Sequence, residues 1–198
     1  QVNMQNLAAS QVSQTAQLIA DNTAQTQYIV NRVAPYPIPA YTVANPTTFI
    51  TSLGSANFEY NDWLPNAMQD DKLWAEKKTI YDPCPAGWRV PDGGENGIWS
   101  KALGSGSLFT QSSLYDSTNE GMNFSGKFGS DQTIWYPSSS FRGYDDGSLS
   151  NVGRYGCYWS ATEDGSDYAR YLGFRSDAAG LSYNDRSIGL LVRLVKDL

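Results

Sequence analysis

Tyrosine, aspartate, asparagine and arginine side chains are concentrated between apolar anchors in the last third of this 198-residue chain. These residue types form the contact surfaces of binding proteins, because tyrosine buries a large amphipathic area at low entropic cost and small polar groups adapt their hydrogen bonds. The pattern predicts a recognition surface displayed within residues 141–195. The predicted ligand-binding residues are Tyr144, Asp145, Asp146, Arg154, Tyr155, Asp164, Asp167, Tyr168, Arg170, Arg175, Asp177, Tyr183, Asn184, Asp185 and Arg186.

Catalysis is disfavoured by the residue types that are missing. The chain contains no histidine, which excludes Ser-His-Asp triads, Cys-His dyads and the usual zinc sites. Glu163 and Asp167 could suggest a carboxylate pair for glycoside hydrolysis, but neighbouring acids are common in loops. The segment 164–167 has too few regularly spaced oxygen ligands for calcium. We therefore expect neither an enzyme nor a bound metal or cofactor.

Several candidate contacts also have a purely structural interpretation. Asp145 and Asp146 precede Gly147, and an Asp-Gly pair usually marks a turn. Tyrosines in strands are more often packed in a core than exposed to a ligand. Arginine recurs in binding hot spots, although a solvated surface charge is the alternative. Tyr183, inside the polar run 182–187, is the strongest contact candidate.

Composition limits the number of domains and the class of partner. With 198 residues and 40% hydrophobic content, the chain can bury one good core plus a small or extended element. A net charge of −6 disfavours nucleic acid and anionic lipid. No apolar run approaches the roughly 20 residues of a membrane span, and Gln1 opens no signal peptide. We expect no nucleic-acid partner and no membrane insertion.

The N-terminal segment has a polar heptad pattern. Residues 5–33 contain neither glycine nor proline, and alternating three-four spacing predicts a coiled-coil stalk helix over residues 1–34. A surface helix packed on its own domain is the alternative. Asparagine at a seam position resembles the repeat of trimeric fibrous adhesins, which implies a parallel homotrimer with an anion at Asn22. The predicted oligomerisation residues are Val12, Thr15, Ile19, Asn22, Thr26, Ile29 and Val33.

Three prolines within residues 35–39 end the predicted helix, because proline cannot continue one. Residues 35–73 are predicted to be a Pro-rich linker and head entry, and residues 74–198 the ligand-binding head. Period-two alternation predicts a strand at 168–174, and the apolar run 190–195 predicts a central strand. Trp88, Trp159 and Phe174 are assigned to the core.

Four motifs of the head resemble a known family. The string DPCPAGWRVP at 82–91 is followed by YWSAT at 158–162, YLGF at 171–174 and LLVRLVKD at 190–197. Their order and spacing resemble the Fibrobacter succinogenes major paralogous domain, common in Bacteroidetes. The resemblance implies a C-type-lectin-like fold. The expected class is therefore α+β, a loop-rich head with short antiparallel strands preceded by the coiled-coil helix.

The resemblance extends to variable proteins of diversity-generating retroelements, including trimeric phage tail proteins that bind host receptors. It implies a receptor-binding tip of a virion tail fibre, whose hypervariable C-terminal surface binds a host-cell surface protein or glycan. The alternatives are a bacterial surface, fimbria-associated or secreted adhesin, and a structural tail component that binds no ligand. Formylglycine-generating enzymes share the broad fold but use several catalytic cysteines, whereas Cys157 stands alone.

Cys84 and Cys157 are the chain's two cysteines. Many relatives in the resembled family have an aromatic residue in place of Cys157 and a cysteine in place of Leu194. Two free, partly buried thiols are expected, and a bridge between them is the alternative.

Overall fold

The computed structural model describes residues 49, 72–75, 77–103, 115–125, 133–144, 147–165 and 168–197, and every structural statement below concerns them. Short strands dominate this part of the chain. The elements are β1 (Trp88–Arg89), α1 (Ile98–Leu103), β2 (Tyr115–Asp116), β3 (Gly121–Ser125), β4 (Thr133–Pro137), β5 (Phe141–Arg142), β6 (Leu149–Ser150), β7 (Gly156–Asp164), β8 (Tyr168–Arg175), β9 (Ala178–Asp185), β10 (Leu191–Val192) and β11 (Val195–Lys196).

The main sheet has four strands in the order β10-β7-β8-β9. Strands β7, β8 and β9 form an antiparallel meander, and β10 pairs with β7 in parallel. Side chains two positions apart on a strand lie on the same face. On β8 one such face carries Leu172 and Phe174, both buried in the hydrophobic core.

A second antiparallel sheet, in the order β2-β3-β4, closes the core. Its Phe124 meets Phe174 of the main sheet edge-to-face, with ring centroids 5.7 Å apart. Tyr136 makes similar contacts with Phe124 and Tyr158, each at 5.0 Å. Gly156 lacks a side chain because the Phe174 ring fills the space: an added Cβ would lie 2.0 Å from it. The small sheets β1-β11 and β5-β6 complete the fold.

Strand β7 contains a bulge that attaches the loop after β1, which includes Pro91 and Gly93, to the main sheet. Trp159 pairs with Tyr171 and Glu163 pairs with Ala169, so four steps along β7 lie opposite two along β8. The additional residues contact the loop: the Ala161 amide donates to the Pro91 carbonyl at 2.8 Å. The Gly93 amide donates to the Thr162 hydroxyl at 2.9 Å. The bulge thus breaks the pairing of β7 with β8 and provides backbone and side-chain groups that bind the loop after β1.

The predicted α+β class is wrong, because helical residues make up only 4% of the part described and strands form nearly all its regular structure. The physical reason is the frequency of glycine, serine and alternating aromatic residues after position 90, which favours strands and turns over a long helix. An N-terminal coiled-coil helix is not supported. Residues 1–34 themselves, with all seven predicted oligomerisation positions, lie outside the described residues. Within those described, no helix is long and apolar enough to cross a bilayer.

Individual predictions for the head had mixed outcomes. The strand at 168–174 is confirmed as β8, and the core positions of Trp159 and Phe174 are confirmed. The prediction that Trp88 lies in the core is wrong, since 41% of its surface is exposed. The prediction of a central strand at 190–195 is also wrong. The segment divides into β10, which pairs with β7 at the edge of the main sheet, and β11, which pairs with β1 in a separate sheet. Between them the Arg193 guanidinium lies 5.0 Å from the centroid of the Tyr136 ring.

Cys84 and Cys157 are both free and buried, which confirms the expectation of unpaired thiols. Burial raises the pKa of each thiol to about 11, and a hydrogen bond with Asp82 contributes at Cys84. Both groups are therefore neutral at physiological pH.

Candidate recognition site

Strand register places a group of predicted contact residues on one face of the main sheet. Side chains at paired positions of neighbouring strands share a face, and positions two apart on one strand do as well. The buried positions 172 and 174 of β8 are thus continued by Arg170 and Tyr168. Their partners on β9 are Tyr183 and Asp185. The face of the sheet that packs in the core at positions 172 and 174 is therefore exposed to solvent at its other end, around positions 168 and 170.

Two tyrosines form the centre of this surface. The rings of Tyr168 and Tyr183 meet edge-to-face, with centroids 5.4 Å apart and planes at 67°. Tyr168 is 36% exposed and Tyr183 is 59% exposed, so the pair presents ring area to solvent. Such a contact contributes about 0.5–1.5 kcal/mol beyond burial of area. The aromatic surface is therefore formed before any ligand arrives.

Arg186, directly after β9, borders the tyrosine pair. Its Nε donates to the Tyr168 carbonyl at 3.2 Å, and its Nη2 donates to the Gly165 carbonyl at 2.8 Å. Gly165 has a φ of 75°, a left-handed conformation that glycine adopts without strain and that closes the β7–β8 turn. Two main-chain acceptors thus fix the plane of the guanidinium.

A carboxylate and a second guanidinium complete the group. Arg170 Nη2 lies 3.5 Å from Asp164 Oδ1, and both side chains are about one-third exposed. An ion pair this exposed adds little stability, so it orients the two groups more than it strengthens the fold. We call the set of Asp164, Gly165, Tyr168, Arg170, Tyr183, Asp185 and Arg186 the Tyr168–Tyr183 site.

Three other predicted contacts gather at the opposite end of the same sheet. Arg175 donates from Nε to Asp177 at 2.6 Å and from Nη1 to the Tyr155 hydroxyl at 3.2 Å. The hydrogen bonds with Tyr155 and then Asp177 raise the pKa of Arg175. Arg175 lies seven residue positions beyond Tyr168 on β8, about 23 Å along an extended strand. The single surface expected from sequence is thus divided between two ends, and we call Tyr155, Arg175 and Asp177 the Arg175 cluster.

The remaining predicted contacts are dispersed. Asn184 is on β9, where its side-chain oxygen accepts from the Asp185 amide at 2.9 Å. Tyr144 is half-buried in the turn after β5, and Arg154 is exposed before β7. Asp145, Asp146 and Asp167 lie outside the described residues.

A buried polar network was missed by sequence reasoning. The Lys78 ammonium donates three hydrogen bonds: to Asp82 Oδ1 at 3.0 Å, to the Cys84 carbonyl at 2.6 Å and to the Trp88 carbonyl at 2.9 Å. Asp82 also accepts from the amides of Cys84 at 2.8 Å and Val90 at 3.0 Å. We call Lys78, Asp82, Cys84, Trp88 and Val90 the Asp82 network. It fixes the backbone of the DPCPAGWRVP motif.

The Asp82 carboxylate is ionised despite its burial. Burial alone raises the pKa of Asp82, but the hydrogen bonds from Val90, Cys84 and Lys78 together outweigh that effect and lower it below the usual value. Every donor of Lys78 has a partner within the protein, so the network is structural and offers nothing to a ligand. A lysine four residues before an Asp-Pro-Cys-Pro string was the available sequence signal.

The chemistry of the Tyr168–Tyr183 site is that of binding. It presents tyrosine rings and guanidinium donors, which are enriched in interface hot spots, beside carboxylate acceptors. Across the described part of the chain, no three or more acidic or cysteine side chains are grouped in a way that could hold a metal ion.

Comparisons with known proteins identify no relative. No family model matches the chain. Neither a curated protein nor a solved structure matches it significantly. The resemblance to the Fibrobacter domain therefore stays a prediction, and the C-type-lectin-like fold that formed part of the α+β expectation gains no support.

Proposed function

We propose that this chain is a receptor-binding protein whose Tyr168–Tyr183 site contacts a protein or glycan on a cell surface. The observation that carries the proposal is the pair of exposed tyrosines, held edge-to-face by the register of β8 and β9 where the core face of the sheet reaches solvent. Both rings lie outside the hydrophobic core, so their exposed area can contact a partner.

Preorganisation supports the proposal. Binding costs less when side chains are already ordered, because each immobilised flexible side chain otherwise adds about 0.5–1.5 kcal/mol of entropic cost. The tyrosines contact each other, Arg186 is anchored to two carbonyls, and Arg170 is paired with Asp164. A partner therefore meets a surface whose donors and rings are already placed.

The proposed biological setting follows the sequence resemblance. A virion tail tip is the proposed location, and a bacterial surface adhesin is the alternative. In a homotrimer, three copies would convert weak single contacts into strong avidity, provided the spacing of receptors allows simultaneous engagement.

The experiment measures binding of the fluorescently labelled chain to a panel of Bacteroidetes strains by flow cytometry. A combined Tyr183→Ala, Asp185→Ala and Arg186→Ala variant is expected to bind responsive strains at least about tenfold more weakly, the scale of one good contact. The matched control removes the Arg175 cluster with Tyr155→Ala, Arg175→Ala and Asp177→Ala and is expected to bind within about twofold of the unmodified chain.

Circular dichroism must show that both variants are folded. The proposal would be contradicted if the first variant bound as well as the unmodified chain or if both variants lost binding equally. It would also be contradicted if the unmodified chain bound no strain.

A further inference from the structure

An open groove with a volume of about 860 Å³ lies beside the main sheet. Its walls come from residues 72–75, the loop 92–97, α1, the bulge of β7 and β11. Sites for small organic ligands commonly enclose about 300–1,000 Å³. None of its lining residues belongs to the Tyr168–Tyr183 site or the Arg175 cluster. The groove is therefore a separate candidate and does not depend on the proposed function.

The main chain of one wall is held by hydrogen bonds along its length. The Gly97 amide donates to the Gly94 carbonyl at 2.9 Å, and the Ser100 hydroxyl donates to the same carbonyl at 2.7 Å. The Gly93 amide is bonded to Thr162 on the bulge. At Gly97 an added Cβ would lie 2.1 Å from the Asp92 carbonyl, so this close turn accepts no side chain. The wall is preorganised, which lowers the entropic cost of binding.

The apolar part of the lining comes from Trp74 and Ile98. The indole N–H of Trp74 donates to the Tyr81 carbonyl at 3.0 Å, so the polar edge of the ring is already bonded within the protein. Ile98, on the first turn of α1, is 46% exposed. An aromatic ring and an aliphatic side chain in the lining of one groove suit a ligand surface made of C–H groups.

The polar part of the lining mixes donors and acceptors. Four basic and three acidic side chains line the groove. Arg89 is occupied by Asp92 at 3.0 Å and by Asp197 at 3.5 Å. Exposed Lys101 and Lys196 supply donors, and exposed Glu95 and Glu163 supply acceptors. The opposite charges largely cancel over the groove, so neither a strongly anionic nor a strongly cationic ligand gains a net electrostatic advantage there.

From this lining we infer that the groove binds a neutral oligosaccharide segment. A pyranose ring has a C–H face that packs on Trp74 and a rim of hydroxyls that both donate and accept. Those hydroxyls can accept hydrogen bonds from the Lys101 ammonium and donate them to the Glu163 carboxylate. No covalent step is involved, and the groove acts as a binding subsite.

The test uses saturation-transfer difference NMR on the full chain with defined probes: cellotriose, maltotriose and chitotriose as neutral trisaccharides, and a hyaluronan tetrasaccharide as an acidic one. At least one neutral probe is expected to bind with Kd below about 10 mM. Lys101→Ala and Glu163→Ala are each expected to weaken that binding at least about fivefold, since each removes a hydrogen-bonding partner.

The matched control is Lys77→Ala, which also truncates an exposed lysine but lies outside the groove, and it is expected to leave Kd unchanged. Thermal melting verifies that all variants are folded. Three outcomes would overturn the inference: no neutral probe binds, the acidic probe binds more tightly than all neutral ones, or the two groove variants bind like the control. Loss of binding in the Tyr183-Asp185-Arg186 variant alone would also overturn it, because the sugar would then occupy the Tyr168–Tyr183 site. Cell binding is a separate readout, measured on bacterial strains and not on free sugars, so failure of the groove inference and failure of the proposed function are distinguishable.

Discussion

The Asp82 network and the Tyr168–Tyr183 site use similar chemical groups for different purposes. Both contain a carboxylate paired with a cation, Lys78–Asp82 in the first and Arg170–Asp164 in the second. The Asp82 side chain is fully buried, whereas Asp164 is about one-third exposed. In the Asp82 network, backbone carbonyls and amides form hydrogen bonds with both charged groups. In the Tyr168–Tyr183 site, the charged groups lie next to exposed tyrosine rings. Burial and saturation by the main chain distinguish a structural ion pair from one available to a partner.

Among the charged and exposed groups of these regions, the largest expected effect comes from removing the buried charge of Asp82. Asp82→Asn is expected to lower the free energy of unfolding by about 3 kcal/mol, because it leaves Lys78 without its ionic partner in a half-buried position. Urea denaturation measures the change. Asp177→Asn is the matched control, and its exposed ion pair with Arg175 predicts a change below about 0.5 kcal/mol. Equal changes in the two variants would remove the distinction between the regions.

The pH dependence of stability sharpens the same contrast. The pKa of Asp82 is lower in the folded chain than its usual value of 3.8. Its contribution is therefore fully present above about pH 4 and is lost as the pH falls through the folded pKa. The stability difference between the unmodified chain and Asp82→Asn is expected to shrink below about pH 4. Denaturation series at several pH values measure it, and a difference that stays constant on acidification would contradict the prediction.

The two thiols extend the comparison to reactivity. Burial raises the pKa of Cys84 and Cys157 to about 11, against 9.0 as the ordinary value. The reactive thiolate is thus about 100-fold rarer in the folded chain than in the unfolded one at about pH 8. Mass spectrometry after iodoacetamide treatment is expected to show slow labelling of both cysteines until urea is added. Rapid labelling of either thiol in the folded chain would be inconsistent with its buried position.

The smallest effect is expected in the recognition site. Tyr183→Ala is expected to lower the free energy of unfolding by about 1 kcal/mol or less, because the ring is mostly exposed and loses chiefly its contact with Tyr168. Tyr158→Ala, which empties a core position, is expected to cost about 3–5 kcal/mol. Urea denaturation of both variants gives the ratio. A cost for Tyr183 close to that for Tyr158 would assign the exposed ring a structural role.

Local patterns predicted some elements of the fold because those elements depend on neighbouring residues. Alternation along 168–174 is a property of one strand, and it predicted β8 and the burial of Phe174. The apolar run 190–195 gave the wrong result because its two halves pair with different strands, β7 and β1, both distant in sequence. The overall class was wrong because the expected helix dominated it, whereas the described residues are mostly strands.

The residue types of the candidate site could be predicted from the sequence. The division of the predicted contacts between the Tyr168–Tyr183 site and the Arg175 cluster could not. Tyrosine and arginine frequencies indicate recognition, yet only strand register shows that Tyr168 and Tyr183 meet while Arg175 lies at the other end. The register of β8 and β9 depends on which face of each strand packs in the core, and tertiary packing has no clear local signal. The Asp82 network was missed for a related reason: its partners include main-chain groups, whose participation no residue type reveals.

The anchoring of Arg186 has a consequence for mutational tolerance. Its guanidinium is bound to the carbonyls of Tyr168 and Gly165, and a carbonyl is present whatever side chain a residue carries. Position 168 can therefore accept many side chains while Arg186 keeps its place. A surface built in this way separates the main-chain groups that maintain its shape from the side chains that face solvent, so single substitutions at position 168 are compatible with the fold.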